Sequence, residues 1–545
     1  MLPVGTWWAI SPWKEEFERE SVQLAVEELQ SVAFLAVIVM SELFKEFMRD
    51  VPRGDSTRPL REQKVPQARW MKLEEIAASR TLSYDPLQPG KKVLIGALGK
   101  QLIGIEDDRH ILTVAGSRSG KSVGLISNLL FYSGSILATD PKGELADITA
   151  DRRAGLGQKI YVVDPFGVSS KAAAKYRASY NPMSLLKTGS ETFLEDAALI
   201  AESIVVQSAD QKDPHWDESA KNFIEGVIIH VVTYPRYDKE RHLIMVRELI
   251  KRALWVEPGD DEEKAKPLLY EEMMDNGYRL QDRAETEDIG SAVMAAALDF
   301  YGKKGAELSG VHSTVNRHTK FLDYSAFRKV LKEHDFALSE LKSKPSGVSI
   351  YLCFPATRIE IARRWMRIFI NQLLDTMERE KTIPPAPVLA CLDEFPVLGY
   401  MKQLETASGL IASFGVKLWV ILQDWSQGKA LYGERWETFA GNAGIMQFFG
   451  NNDMATTEYI SKLLGKTQVE VARTGEVAQD QQQKGLSGRS EAIELYDLMT
   501  PDEIRRHFSR SDPFTRQIIL WAGRHPMMLQ RVIWHQKDGV LAPYL

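Results

Sequence analysis

Short apolar runs alternate along this chain with amphipathic stretches of helical period, and their order predicts an α/β fold. Val93–Leu98 and Gln101–Ile105 flank a Gly-Lys turn and read as a hairpin. Ile111–Val114 runs apolar into a Gly/Ser-rich loop, and the following VGLISNLLFYS has helical spacing. SILATD and KIYVVDP are two more apolar strands, each with an Asp at its C-terminal end. Strands without polar alternation are buried on both faces, so the sheet is predicted to be parallel-rich and covered by helices. Over 185–343 the texture changes to helical patterns such as DESAKNFIEGVIIHVVTY and IGSAVMAAALDFY, which predicts an inserted all-α domain. The α/β pattern then returns with VSIYLCFP, the helix IARRWMRIFINQLLDTMERE, and the strands PVLACLDEFP, GVKLWVILQD and GIMQFFGN. Polar, Gln/Gly-rich residues 474–490 predict a mobile loop, and RQIILWAGRHPMMLQRVIWHQ a closing strand pair.

The flanks complete the domain map. Residues 1–50 are expected to form an amphipathic helix over about 14–49, and 51–92, rich in Pro and charge, a linker with one short helix near 71–79. The apolar core of the N-terminal helix, SVAFLAVIVMS, covers roughly 16 Å as a helix, about half of a ~30 Å hydrocarbon layer, so no transmembrane span is expected. Glu15, Glu16, Glu18 and Glu20 precede it, unlike a signal peptide. The nucleotide-binding domain is then predicted over 93–184 and 344–545, interrupted by the helical 185–343. A net charge of −6, from 68 basic and 74 acidic side chains, excludes a global basic field, so any DNA contact must be local. Two isolated cysteines, Cys353 and Cys391, each in an apolar run, read as buried free thiols of a reducing compartment.

Chemistry concentrates in three segments. Ala115-Gly116-Ser117-Arg118-Ser119-Gly120-Lys121-Ser122 fits the phosphate-loop pattern G-x-x-x-x-G-K-[ST], with Ala115 in place of the first Gly. A buried strand before it and a helix after it would aim backbone N–H groups at an anion, with Gly116 to Val123 as the binding residues. Lys121 would place its charge on the β/γ phosphates and Ser122 its hydroxyl on Mg²⁺. Ala115 is tolerable if its φ stays negative. Asp393 and Glu394 end the apolar run VLACL, and are expected to reach the loop from a neighbouring strand: Asp393 on Mg²⁺, Glu394 polarising the attacking water. Gln423 ends the strand KLWVIL and would contact the γ-phosphate or that water. Asp140 and Glu144 sit after a further strand, where a site role and a plain turn explain them about equally. An arginine from an adjoining subunit is expected to stabilise transition-state charge; Arg435, Arg473, Arg489 and Arg524 are among the candidates, and the pattern does not choose.

TVAGSRSGKSVGL, ATDPKGELADITADRR with VVDPFG, DPHWDESAKNFIEGVI, LDEFPVLGYMKQLETASGLIASFGVKLWVILQDWSQ and IILWAGRHPM together resemble the VirD4/TraG family of type IV secretion coupling ATPases, over most of residues 93–535. The resemblance implies a RecA-like P-loop domain that binds ATP and Mg²⁺, an inserted all-α domain, and a homohexamer around a channel. It also implies work at the cytoplasmic face of the bacterial inner membrane, beside secretion-channel components, with relaxase-bound single-stranded DNA or effector proteins as cargo. Family members usually begin with transmembrane helices; here a truncated N-terminus or an anchoring partner held by the 14–49 helix is expected. Some also carry an Arg where this chain has Ala412-Ser413-Phe414-Gly415. Two other readings of the same residues stay open: a double-stranded DNA pump of the FtsK/HerA type, and a cargo-recruitment platform with little turnover.

Overall fold

The computed structural model describes residues 67–206, 214–256, 266–474 and 489–545. The expected N-terminal helix and the centre of the expected 474–490 loop fall outside these residues. Residues 66–467 and 499–545 form one compact unit. Its frame is an 11-stranded sheet built from β1 (Val93–Leu98), β2 (Gln101–Ile105), β3 (His110–Ala115), β4 (Ile136–Asp140), β5 (Lys159–Val163), β6 (Val348–Cys353), β7 (Val388–Leu392), β8 (Val416–Leu422), β9 (Ala443–Phe449) and two strands near the C-terminus. Between β9 and those two lie β10 (Lys466–Thr474) and β11 (Arg489–Asp497), which form a separate two-stranded sheet; the last pair is β12 (Arg516–Trp521) and β13 (Met527–Gln530).

The large sheet runs β2-β1-β13-β12-β9-β3-β8-β7-β4-β6-β5. From β9 to β5 every pairing is parallel, whereas β12, β13, β1 and β2 add an antiparallel edge. The parallel strands β3, β4, β6, β7 and β8 are buried at every position, which is why their sequences show no polar alternation. Helices α1 (Lys121–Leu129) and α2 (Glu144–Gly155) follow β3 and β4.

Between β5 and β6 the described residues contain helices and no strand. The longer ones are α3 (Phe193–Ile204), α4 (His215–Thr233), α5 (Leu243–Lys251), α6 (Leu268–Gln281), α7 (Glu287–Gly302) and α8 (Gly305–Thr319). Their core is apolar and aromatic: Phe223 of α4 stacks on Phe300 of α7 with ring centroids 3.7 Å apart. The 21-residue α9 (Ile359–Arg379) leads back into the sheet and is buried at every position from Trp365 to Leu374, so its middle is covered on all sides. The protein is therefore an α/β fold, a parallel-rich sheet joined to a helical region. Within the stretch expected to be a linker, Leu73–Ala77 is the short helix, and Leu82 and Tyr84 are buried against β2, where Gly104 N–H donates to the Leu82 carbonyl at 2.8 Å. Cys353 and Cys391 are both buried and free. No described helix is long and apolar enough to cross a membrane.

Candidate nucleotide site

Parallel strands deliver their C-terminal ends to one edge of the sheet, and the residues singled out by sequence meet there. β3 ends at Ala115, which pairs with Phe449, is fully buried and is not among the residues with positive φ, so alanine is accommodated. The glycine that the turn requires is the next one: a Cβ at Gly116 would lie 2.0 Å from the Gly450 carbonyl oxygen. Gly120 sits at φ 95°, a conformation side chains disfavour, immediately before α1 begins at Lys121. Arg118, exposed at the crest, also takes a positive φ of 56°. The Ser119 hydroxyl donates to the Gly116 carbonyl at 2.6 Å, closing the loop on itself. Lys121, Ser122 and Val123 form the first turn of α1, where Val123 N–H donates to the Gly120 carbonyl at 3.1 Å and the first N–H groups of a helix have no i−4 partner inside it. Ser117 is exposed.

Asp393 and Glu394 follow β7. They do not come from a strand adjacent to β3: β8 lies between, so the end of the glutamine strand is wedged between the loop and the acids. Local patterning carries strand identity but not the crossover order, and that is why the expected neighbour was wrong. The wedge brings all three segments into contact. The Gln423 amide donates to both oxygens of Glu394, at 3.2 and 3.1 Å, and Lys121 Nζ lies 3.8 Å from Glu394 Oε1. Glu394 holds a left-handed φ of 53°, a costly conformation for a residue with a Cβ, and Glu394 N–H donates to Asp393 Oδ1 at 3.0 Å. Burial, and then the Glu394 charge beside it, push the Asp393 carboxyl up to about 6.

Asp140 does not join this contact. It is buried, and its carboxylate accepts from the Ala146 and Lys142 N–H groups at 3.0 and 3.4 Å, so it is committed to shaping the turn into α2. Burial pushes it up to about 7, with Asp393 adding to the rise. Glu144 is exposed on the first turn of α2. Of the arginines weighed, Arg435 pairs with Glu405 at 3.1 Å and Arg524 stacks 5.4 Å from the Trp521 ring centre.

Several residues escaped sequence reasoning. Thr139 on β4 donates its hydroxyl to the Asp393 carbonyl at 2.8 Å and fixes the end of β7. Asn451, 3% exposed just beyond β9, has neither amide atom hydrogen-bonded, which marks it as a buried polar group awaiting a partner. A cavity of about 420 Å³ opens beside the loop, bordered by Gly120, Val123, Gly124, Arg510, Thr515 and Arg531. Only the Gly-Asn-Asn run after a buried strand, at 450–452, could have flagged any of these in advance.

Known proteins resemble this chain in sequence and in fold. A family model for type IV secretory system conjugative DNA transfer matches residues 61–544. The conjugal transfer protein TraG of Escherichia coli is 28% identical over 373 residues, covering 66% of this chain and 55% of TraG. Protein VirD4 of Rhizobium radiobacter is 25% identical over 437 residues, covering 78% of this chain and 57% of VirD4. The chain thus spans little more than half the length of these two relatives. The structure of the bacterial conjugative coupling protein TrwBdeltaN70 in an unbound form has the same fold, with a TM-score of 0.62 at 14% identity, over 89% of this chain and 97% of that one. The plasmid coupling protein TrwB in complex with ADP and Mg²⁺ matches with a TM-score of 0.58, also at 14% identity, over 86% of this chain and 94% of that one. With the model matched across most of its length, this chain belongs to the type IV secretory system conjugative DNA transfer family, the VirD4/TraG coupling proteins.

Proposed function

We propose that this chain is an ATP-hydrolysing coupling protein that recruits a relaxase–single-stranded DNA complex or effector proteins and passes them to a type IV secretion channel. One observation carries the reading: Lys121, Glu394 and Gln423, from three separate segments, converge within 4 Å at the C-terminal edge of a parallel sheet. In this reading Gly116 to Val123 cradle the triphosphate, and the cavity beside Gly124 takes the nucleoside. Lys121 neutralises phosphate charge; in the structure its ammonium leans on Glu394, a stand-in for the phosphate it would otherwise meet. Glu394 holds and polarises the attacking water. Gln423, already bonded to Glu394, reports whether that carboxylate is engaged.

The buried Asp393 carboxyl, raised by its surroundings, suits a divalent cation, and with the Ser122 hydroxyl it would hold Mg²⁺. Bound there, Mg²⁺ would supply charge neutralisation on the β/γ phosphates. We assign 93–184 and 344–545 to the nucleotide-binding domain and 185–343 to an inserted all-α domain that moves with the nucleotide state. We further place the protein as a homohexamer at the cytoplasmic face of the bacterial inner membrane, with an adjoining subunit's arginine completing each site. TrwB, solved with ADP and Mg²⁺, supports the nucleotide assignment by analogy of fold.

Two variants test it. Lys121→Ala should lose ATP binding, whereas Glu394→Gln should bind ATP–Mg²⁺ near-normally and lose turnover by about 10²- to 10⁴-fold, the usual worth of a positioned base. Equilibrium binding and phosphate release measure the two separately. Unimpaired hydrolysis in both would end the proposal. Binding without turnover in the unaltered protein would favour the recruitment platform, and stimulation by duplex DNA alone the double-stranded DNA pump.

A further inference from the structure

We infer that Arg531 is a positioning residue for the triphosphate, acting through the Ser119–Gly120 peptide; the inference rests on the nucleotide reading above. Arg531 directly follows β13, more than 400 positions from the loop, yet its Nη1 donates to the Ser119 carbonyl. Its Nε and its backbone N–H both donate to the Thr515 carbonyl, at 3.2 and 2.9 Å. The guanidinium lies 5.1 Å from the centre of the Phe449 ring, and the Phe449 carbonyl accepts the Gly116 N–H at 3.3 Å. One cation therefore touches both ends of the phosphate loop, Ser119 directly and Gly116 through Phe449. The next residue, Val532, accepts a hydrogen bond from Ser127 of α1 at 3.3 Å, so the same segment also grips the helix. Thr515, at φ 51°, is one of three non-glycine residues with positive φ among the described residues; the other two are Arg118 and Glu394. All three members of this strained set belong to the site or to the Arg531 clamp.

The electrostatic consequence follows from peptide geometry. A trans peptide points its C=O and N–H in opposite directions, and the described chain contains no cis peptide. With the Ser119 oxygen turned to Arg531, the Gly120 N–H is turned away from it, immediately before the N-terminus of α1. A cation on the carbonyl polarises the peptide and makes that N–H a stronger donor. Asp512, which borders the same cavity and favours the Arg531 charge from a distance, is itself held by Arg516 at 2.8 Å, and the hydrogen bonds Arg531 donates go to the Ser119 and Thr515 carbonyls. Arg531 thus lends positive charge to the phosphate site without touching the phosphate.

The test compares Arg531→Gln and Arg531→Lys with the unaltered protein, by calorimetric titration with ATP–Mg²⁺ and by turnover against ATP concentration. Arg531→Gln should weaken binding about 10-fold or more, the range of one lost charge-assisted hydrogen bond, with kcat at saturation within about 3-fold of normal. Arg531→Lys keeps a charge on the Ser119 carbonyl and should recover most of the affinity. A purely structural clamp needs the guanidinium fork to bridge Ser119 and Thr515, so lysine would then fail as badly as glutamine. Unchanged affinity in Arg531→Gln, or equal loss in both variants, overturns the inference. If Arg531→Gln does not fold, Arg531→Lys decides alone: affinity within about 5-fold of normal supports the charge role, and loss of about 50-fold or more refutes it. Absence of ATP binding in the unaltered protein would instead overturn the nucleotide reading itself.

Discussion

A methyl group separates two neighbouring residues of the phosphate loop. Ala115 carries one comfortably because it ends a strand in extended conformation, although the motif pattern places glycine there. Gly116 cannot, since its Cβ would stand 2.0 Å from a backbone oxygen of Gly450 that has no rotamer to escape into. Gly116→Ala is therefore expected to shift the loop against β9, lowering stability by about 1–3 kcal/mol, as overpacking of a tight site does. ATP affinity should fall with it. Ser117→Ala keeps the backbone N–H of the cradle and removes only an exposed hydroxyl, so stability should stay within about 0.5 kcal/mol and affinity within about 2-fold, which makes it the matched control in thermal melts and binding titrations. The residue types of the loop, the acid pair and Gln423 were legible because each has a chemical signature at the end of an apolar run. Thr139 and Arg531 were not, because their partners are backbone carbonyls hundreds of positions away, and a carbonyl leaves no mark in a sequence.

At the scale of the element, β8 does two jobs at its two ends. Its C-terminus presents Gln423 to Glu394, while near its start Lys417 is 1% exposed with its ammonium unpaired. Burial pulls Lys417 down to about 8, only partly opposed by Asp107, Asp108 and Glu106. Because the folded state binds this proton less tightly than the unfolded chain, the penalty is full below about pH 8. It fades as pH rises towards the ordinary lysine value of 10.5. Lys417→Met is accordingly expected to stabilise the protein by up to roughly 3 kcal/mol at pH 7, with the gain shrinking between pH 8 and 10. Denaturant melts of both proteins at several pH values would show it; a gain independent of pH would point to packing alone. Strand existence was readable here because both faces of the sheet are covered and the runs are continuously apolar. Strand order was not: nothing in the pattern of VLACL or KLWVIL says that β8 inserts between β3 and β7. The β10–β11 ribbon was missed for a related reason, since TGEVAQDQQQKGLSGRS dominates that region with loop composition.

For the whole molecule, the proposed function turns on how one chain's site would become a motor. The contacts at Lys121, Glu394 and Gln423 are all made within a single subunit, and an isolated subunit offers no arginine among these contacts to balance the charge that develops on a leaving phosphate. Turnover should therefore rise steeply with protein concentration as subunits meet across the site. Glu394→Gln, which is expected to hold ATP–Mg²⁺ without consuming it, should accumulate as the closed ring, because ligand that binds an interface stabilises the assembly by mass action. In light scattering after size exclusion, that variant with ATP–Mg²⁺ is expected near six times the 61.6 kDa chain mass, and with ADP at a lower mass. Specific activity of the unaltered protein should climb more than linearly over the same concentration range, and single-stranded DNA should raise it further if cargo threads the ring. A subunit that hydrolyses ATP at a constant specific rate down to nanomolar concentration, with no change in mass on adding nucleotide, would show that each site is complete in itself and would remove the ring from the mechanism.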